Sequence, residues 1–270
     1  MNFKEKLSKI VKKNNSLLCI GLDTNIEKIP KHLFEINKTP YLEFNKSIID
    51  ATCSLVCAYK LNMAFYEVLG KKGFEILEKT ISYIPNDIIV ILDGKRNDIG
   101  NTAKMYAKSL FDVLNADAVT VNPYLGKDSI MPFLEYEDKC SFILCRTSNP
   151  SAVDFQNLIV SNDPVYKLVA RKIKEWNQFD NCGAVVGATY PDELKIIRDI
   201  LGEEIPILIP GVGAQCGDVE KTVKYGTNKH GEMAIINSSR AIIYAANDKS
   251  FSEKAKNEAR TLRDEINSYK

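Results

Sequence analysis

Along this chain, short continuous apolar runs alternate with stretches in which apolar residues recur every three or four positions. The runs are 17-LLCIGLD-23, 55-LVCAYKLN-62, 88-IIVILDGK-95, 118-AVTVN-122, 141-SFILCR-146, 183-GAVVGA-188, 205-IPILIPG-211 and 233-MAIINSS-239. Rich in Ile and Val, they suit parallel strands buried on both faces. Helical spacing marks 41–52, 72–84, 101–114, 165–176, 191–201 and 252–269, with Pro191 suited to a first helical turn. This alternation predicts an α/β chain folded as a single (β/α)8 barrel, a TIM barrel, over residues 1–270. A doubly wound open sheet is the competing arrangement, but no G-x-G-x-x-G follows the first run. The segment 147–164 is too long for a simple βα turn and is read as a long structureless loop, which is expected to be a functional lid.

Composition narrows the partners. The apolar share of 45% and the charged share of 26% are those of an ordinary soluble globular protein. Lys and Arg number 36 against 35 Asp and Glu, so no bulk attraction to nucleic acid or an anionic membrane is expected. An anionic ligand then has to be held by a local site. The basic, amphipathic start MNFKEKLSKIVKKNNS lacks the apolar centre of a secretory signal, and no stretch approaches a membrane span. Seven cysteines without CxxC spacing, most of them in apolar runs (Cys19, Cys57, Cys145, Cys182), predict free thiols in a reducing cytoplasm. The two histidines, His32 and His230, stand in polar contexts and are expected to be surface loop residues. A His-ligated metal centre or a Ser-His triad is therefore not expected.

Polar residues gather at the C-terminal ends of the predicted strands, the rim on which barrel enzymes assemble their sites. Asp23 ends the first run, Lys60 and Asn62 the second, Asp93 and Lys95 the third, and Asn122 the fourth; Arg146, Thr147 and Ser148 end the fifth, and Ser238, Ser239 and Arg240 the eighth. Asp93 and Lys95 are two residues apart, so strand alternation is expected to project them together with Gly94 facing away, within reach of Lys60. Neighbouring opposite charges favour the charged forms, and a protonated Lys95 is a general acid suited to a carbanion. A structural ion pair is the plain alternative. The Gly-rich turn in 209-IPGVGAQCGD-218 and the following 236-INSSRAI-242 suggest a phosphate site. There Arg240 is expected to grip two phosphate oxygens and the Gln215 amide to close over a third, unless the glycines serve only tight turns.

Between residues 20 and 242 these motifs resemble, in order and spacing, the orotidine 5′-monophosphate decarboxylase family. The family's Asp-x-Lys-x-x-Asp-Ile-x-x-Thr is met by Asp93, Lys95, Asp98, Ile99 and Thr102. Its first-strand Asp is met by Asp23, its second-strand Lys by Lys60, its Pro-Gly-x-Gly-Ala-Gln turn by 210-PGVGAQ-215, and its phosphate-binding Arg by Arg240. The loop 146-RTSNP-150 resembles one branch of the family, while Cys216 departs from the Gly that many members carry after the Gln. The resemblance implies cofactor-free and metal-free decarboxylation of orotidine 5′-monophosphate in de novo pyrimidine synthesis. Lys95 is implied to protonate C6 as carbon dioxide leaves, with Asp93 against the departing carboxylate. Asp23 and Lys60 are implied to hold ribose hydroxyls, and Ser148, beside Thr147, to bond the pyrimidine edge. Asn62, Pro210, Gln215, Ser239 and Arg240 complete the implied substrate set. Asp98 and Thr102 are implied to enter the site of the neighbouring subunit of a homodimer. Rival readings are a Mg²⁺-dependent phosphosugar decarboxylase or aldolase of the same superfamily, a Schiff-base aldolase on Lys60 or Lys95, and a non-catalytic binder of phosphorylated ligands.

Overall fold

Each of the eight apolar runs carries one strand in the computed structural model of the chain, which describes residues 1–36, 38–213 and 218–270. The strands are β1 (Leu18–Gly21), β2 (Ala58–Asn62), β3 (Ile89–Arg96), β4 (Ala118–Val121), β5 (Cys140–Arg146), β6 (Cys182–Val186), β7 (Ile207–Pro210) and β8 (Ala234–Ser238). Every strand pairs in parallel with its successor, and β8 closes on β1 to complete the barrel. The strands β1, β4, β6 and β8 are buried at every position. Side chains packed inward meet the barrel interior and those packed outward meet the helices, which is why the sequence lacks in–out alternation.

The six stretches with helical spacing carry the helices Pro40–Thr52, Lys71–Tyr83, Gly100–Lys108, Val165–Trp176, Pro191–Leu201 and Phe251–Ser268, the third continuing as a π turn over Ser109–Val113. Two crossover helices escape the periodicity, Lys127–Leu134 after β4 and Val219–Gly226 after β7, each of 8 residues. Such short helices give barely two turns of pattern, and Pro132 interrupts the first of them. The basic N-terminal segment is a helix too, Phe3–Asn14, started by a capping box between Asn2 and Glu5. It buries Phe3, Leu7, Ile10 and Val11. Its Lys6 meets the Asp117 carboxylate at 2.7 Å, which in turn accepts the Val90 N–H at 2.8 Å. The Lys6–Asp117 pair thus serves the structure at this end of the barrel.

Two expectations need correction. His32 is not a loop residue but begins a short helix, His32–Ile36, half-buried with its ring 6.0 Å from that of Phe251. The segment 147–164 is not structureless: it holds a 3₁₀ turn, Pro150–Asp154, and a ribbon pairing Ile159–Val160 with Asp163–Pro164.

Arg198 ties together the β6–β8 side of the barrel. Its Nε donates to the Gly226 carbonyl at 3.1 Å; its Nη1 reaches Gly202 at 2.9 Å and Ile205 at 2.8 Å; its Nη2 reaches Gly226 at 2.6 Å and Met233 at 2.7 Å. Burial pulls its pKa down to about 10, yet it remains a cation, held by carbonyl dipoles. Arg198→Met is expected to leave the Gly202, Ile205 and Gly226 carbonyls without the donors that the guanidinium supplies, Met233 keeping the Ile207 N–H, and to lower stability by about 3 kcal/mol or more. Urea unfolding measures this, and an unchanged midpoint would mean that the carbonyls find other partners.

Candidate active site

Above the C-terminal ends of the strands lies a cavity of about 500 Å³, within the range of small-molecule sites. Its wall is apolar at Leu144, Val185 and Leu208, on β5, β6 and β7, and polar around the rim. The predicted residues Asp23, Lys60, Asn62, Asp93, Lys95, Thr147, Ser148, Pro210, Ser239 and Arg240 all line it. Eight strands converging on one axis bring together residues up to 217 positions apart in sequence, from Asp23 to Arg240.

The charged side chains form an alternating row. Lys60 Nζ stands 3.5 Å from Asp23 Oδ1 and 3.4 Å from Asp93 Oδ2, and Lys95 Nζ stands 2.7 Å from Asp93 Oδ1. Ser239 extends the row by donating to Asp23 Oδ2 at 2.8 Å. Burial would push the Lys60 pKa down, but the Asp23 and Asp93 carboxylates outweigh it and hold the value above that of an ordinary lysine. Burial would likewise push Asp93 up, but Lys60, Lys95 and the hydrogen bonds from Lys95 and Thr120 lower it to about 2. Lys60 is 4% exposed and Asp93 8%, whereas 47% of the Lys95 side chain is open to the cavity mouth. The row therefore ends in an accessible ammonium.

Simple strand alternation does not explain how Asp93 and Lys95 meet. Between Leu92, opposite Val119, and Arg96, opposite Val121, the β3–β4 register shifts. Asp93, Gly94 and Lys95 stand opposite Thr120 alone, and Lys95 adopts φ of 47°. A bulge, a device common beside active sites for re-aiming a side chain, turns the ammonium back onto Asp93.

At the end of β5, Thr147 and Ser148 face the cavity over a buried platform. The Arg146 guanidinium lies 3.7 Å from the centre of the Tyr190 ring and donates to Gln156 Oε1 at 3.3 Å. Gln156 accepts the Thr147 N–H at 2.9 Å and donates to Thr147 Oγ1 at 2.7 Å. Thr147 in turn donates to Asn149 Oδ1 at 2.7 Å. Gln156, Asn149, Thr120 and Asn237 are cavity residues that the sequence did not single out. For Gln156 the only signal was the length of the β5 loop, which doubles back to return this side chain to the strand end. After β7, two strands away, Gly211 and Gly213 take φ of 104° and 89°, the left-handed region that favours glycine, and Gly211 lines the cavity together with Arg240.

Three expected residues stand apart. Asp98 and Thr102 are not on the cavity wall of their own chain. The Asp98 carboxylate accepts the Ile99 N–H at 2.8 Å, and Thr102 is exposed in the first turn of the Gly100–Lys108 helix. Gln215, like Cys216, lies outside the described residues. Among the described residues, no three His, Cys, Asp or Glu side chains come together as a metal-binding group.

Comparison with known proteins shows the family of the chain. Residues 16–255 match the profile of the "Orotidine 5'-phosphate decarboxylase / HUMPS family". The orotidine 5′-phosphate decarboxylase of Dehalococcoides mccartyi is 48% identical over 100% of this chain and 99% of its own. That of Cellvibrio japonicus is 49% identical over 99% and 98%. Among solved structures, the Leishmania donovani OMP decarboxylase superposes with a TM-score of 0.86 at 36% identity, covering 100% of this chain and 98% of its own. With identity of this order sustained from end to end, the chain belongs to the orotidine 5′-phosphate decarboxylase family.

Proposed function

We propose that the chain converts orotidine 5′-phosphate to uridine 5′-phosphate and carbon dioxide, in de novo pyrimidine synthesis, with Lys95 as the proton donor. The observation that carries this reading is the Asp23–Lys60–Asp93–Lys95 row, ending in an exposed ammonium inside the cavity of a member of this family. The C6–carboxylate bond breaks, its electron pair stays on C6, and the Lys95 ammonium supplies the proton that replaces the carboxylate. Asp93 lies against the departing group, Asp23, Lys60 and Asn62 face the ribose, Thr147 and Ser148 face the pyrimidine, and Pro210, Gln215, Ser239 and Arg240 surround the phosphate. The active unit in this reading is a cytoplasmic homodimer in which Asp98 and Thr102 complete the neighbour's site.

Magnitudes divide the labour. Two carboxylates about 4 Å apart repel by roughly 4 kcal/mol at an effective dielectric near 20. That is about three powers of ten in rate, too little to make an unactivated decarboxylation fast. Stabilisation of the developing carbanion by the Lys95 ammonium supplies much of the rest, since a charge fixed before the reaction needs no reorganisation during it.

The test follows orotidine 5′-phosphate absorbance in parent enzyme and in Arg240→Ala. The variant is expected to lose about 100-fold or more in kcat/KM on the nucleotide, the cost of removing a charged hydrogen-bonding partner. On the unphosphorylated nucleoside it is expected to change little, because binding energy from the remote phosphate is what closes the site around the ring. Equal losses on both substrates would remove Arg240 from the phosphate site. Activity abolished by EDTA would favour the Mg²⁺-dependent rival.

A further inference from the structure

The bulge in β3 leaves an accounting question: where does the Lys95 main-chain N–H go, once three residues face one and the ladder is interrupted? It donates to the side chain of the residue opposite, Thr120 Oγ1, at 3.0 Å. A backbone amide can only donate, so the hydroxyl is the acceptor there, and its single proton is free to point elsewhere. It points at Asp93 Oδ1, 2.7 Å away, where an ionised carboxylate can only accept. The same Oδ1 receives the Lys95 ammonium at 2.7 Å. The result is a closed ring: Lys95 N–H, Thr120 hydroxyl, Asp93 carboxylate, Lys95 ammonium.

Thr120 is 1% exposed and lies in the strand next to β3, so its hydroxyl is fixed by the barrel. Lys95 is not. Its side chain is half open, its φ is one that residues other than glycine adopt uncommonly, and among the described residues its ammonium bonds to Asp93 alone. Both the main chain that launches this side chain and the carboxylate that receives its tip are therefore held through one hydroxyl. We propose that Thr120 is a positioning residue for decarboxylation, which sets the Lys95 ammonium and the Asp93 carboxylate in their working geometry by accepting from one and donating to the other. The proposal rests on the reading of Lys95 as the proton donor.

The consequence for the reaction is directional. With Oδ1 of Asp93 engaged by Thr120 and Lys95, the carboxylate cannot turn about its own axis, and Oδ2 stays toward Lys60 at 3.4 Å. Without the hydroxyl, the Lys95 N–H loses its acceptor and the carboxylate loses its only neutral donor in the ring. Misplacement of a reacting group by as little as 1 Å has large kinetic consequences.

Thr120→Val removes the hydroxyl and keeps shape and strand preference. Its kcat is expected to fall about ten- to a hundredfold, the range for losing a hydrogen bond to a charged group and the alignment it gives. The KM for the nucleotide is expected to stay near the parent value, because Thr120 acts through Asp93 and Lys95. Thr120→Ser is expected to restore most of the rate. Thr120→Ser against Thr120→Ala repeats the contrast with side chains that cannot crowd the barrel, so the test does not depend on the Val variant folding. A Val or Ala variant as fast as the parent, or a Ser variant as slow as Ala, would overturn the proposal. Turnover by the parent enzyme is measured first, so that failure of the functional reading registers there and not in the Thr120 variants.

Discussion

Lys95→Ala is expected to lose at least about 10⁴-fold in turnover of orotidine 5′-phosphate. A positioned general acid contributes about 10²–10⁴-fold, and a preorganised charge facing a developing anion about 10²–10³-fold more. One ammonium performs both tasks, and effects vested in one group do not simply multiply, so the upper part of the first range is a conservative floor. Lys60 cannot take over. It lies on the other oxygen of Asp93, 3.4 Å from Oδ2, with Asp23 at 3.5 Å on its far side, and almost none of it is exposed. Asp93, with its pKa near 2, stays an anion throughout the working pH range and offers no proton in exchange. Binding of uridine 5′-phosphate is expected to survive largely intact, since the described residues proposed for base and phosphate, Thr147, Ser148, Pro210, Ser239 and Arg240, stand at or just past the ends of β5, β7 and β8 and not on β3. Stopped-flow absorbance and calorimetric titration of the product measure the two quantities. Turnover within tenfold of the parent would assign the proton to another donor.

How much of this was legible before the fold was known differs from residue to residue. The eight strands were legible because a parallel barrel buries both faces, which forces continuous apolar runs whatever the function. The rim was legible because chain order alone puts Asp23, Lys60, Asp93 and Arg240 at C-terminal strand ends, and a closed barrel makes those ends neighbours. Thr120 was hidden for the opposite reason. It sits inside the run AVTVN as an ordinary β-branched strand residue, and only the register opposite β3 shows that its hydroxyl replaces a ladder partner. The pairing of Asp93 with Lys95 was inferred correctly from an incomplete cause, because alternation assumes a regular strand and a bulge is a property of two strands. Gln156 was hidden by loop geometry, which no periodicity encodes. Arg146 stood in plain view at the end of β5 among the rim residues, yet it is fully buried beneath them as a support for Thr147 and Gln156.

Asp98 poses the last problem, because one chain gives it no partner in the cavity. It lies three residues past Lys95, beyond the strand, with its carboxylate turned to the Ile99 N–H rather than to the row of charges. Its neighbour Ile99 is 57% exposed, and Met105, on the helix that follows, is 60% exposed. Apolar residues left open beside a motif carboxylate suit a face that a second subunit covers. In a two-fold dimer each chain gives and receives the same residues, so Asp98 of one protomer would serve the site of its partner. Lys95→Ala and Asp98→Ala homodimers are then both expected to be severely impaired. When the two are mixed in equal amounts and exchange subunits, about half the dimers become mixed, and each mixed dimer holds one doubly damaged site and one intact site. Activity is expected to recover to roughly a quarter of that of the parent under this symmetry. Exchange is verified independently, by mass spectrometry of the intact dimers. An inert mixture with exchange demonstrated would mean that Asp98 serves the site of its own chain.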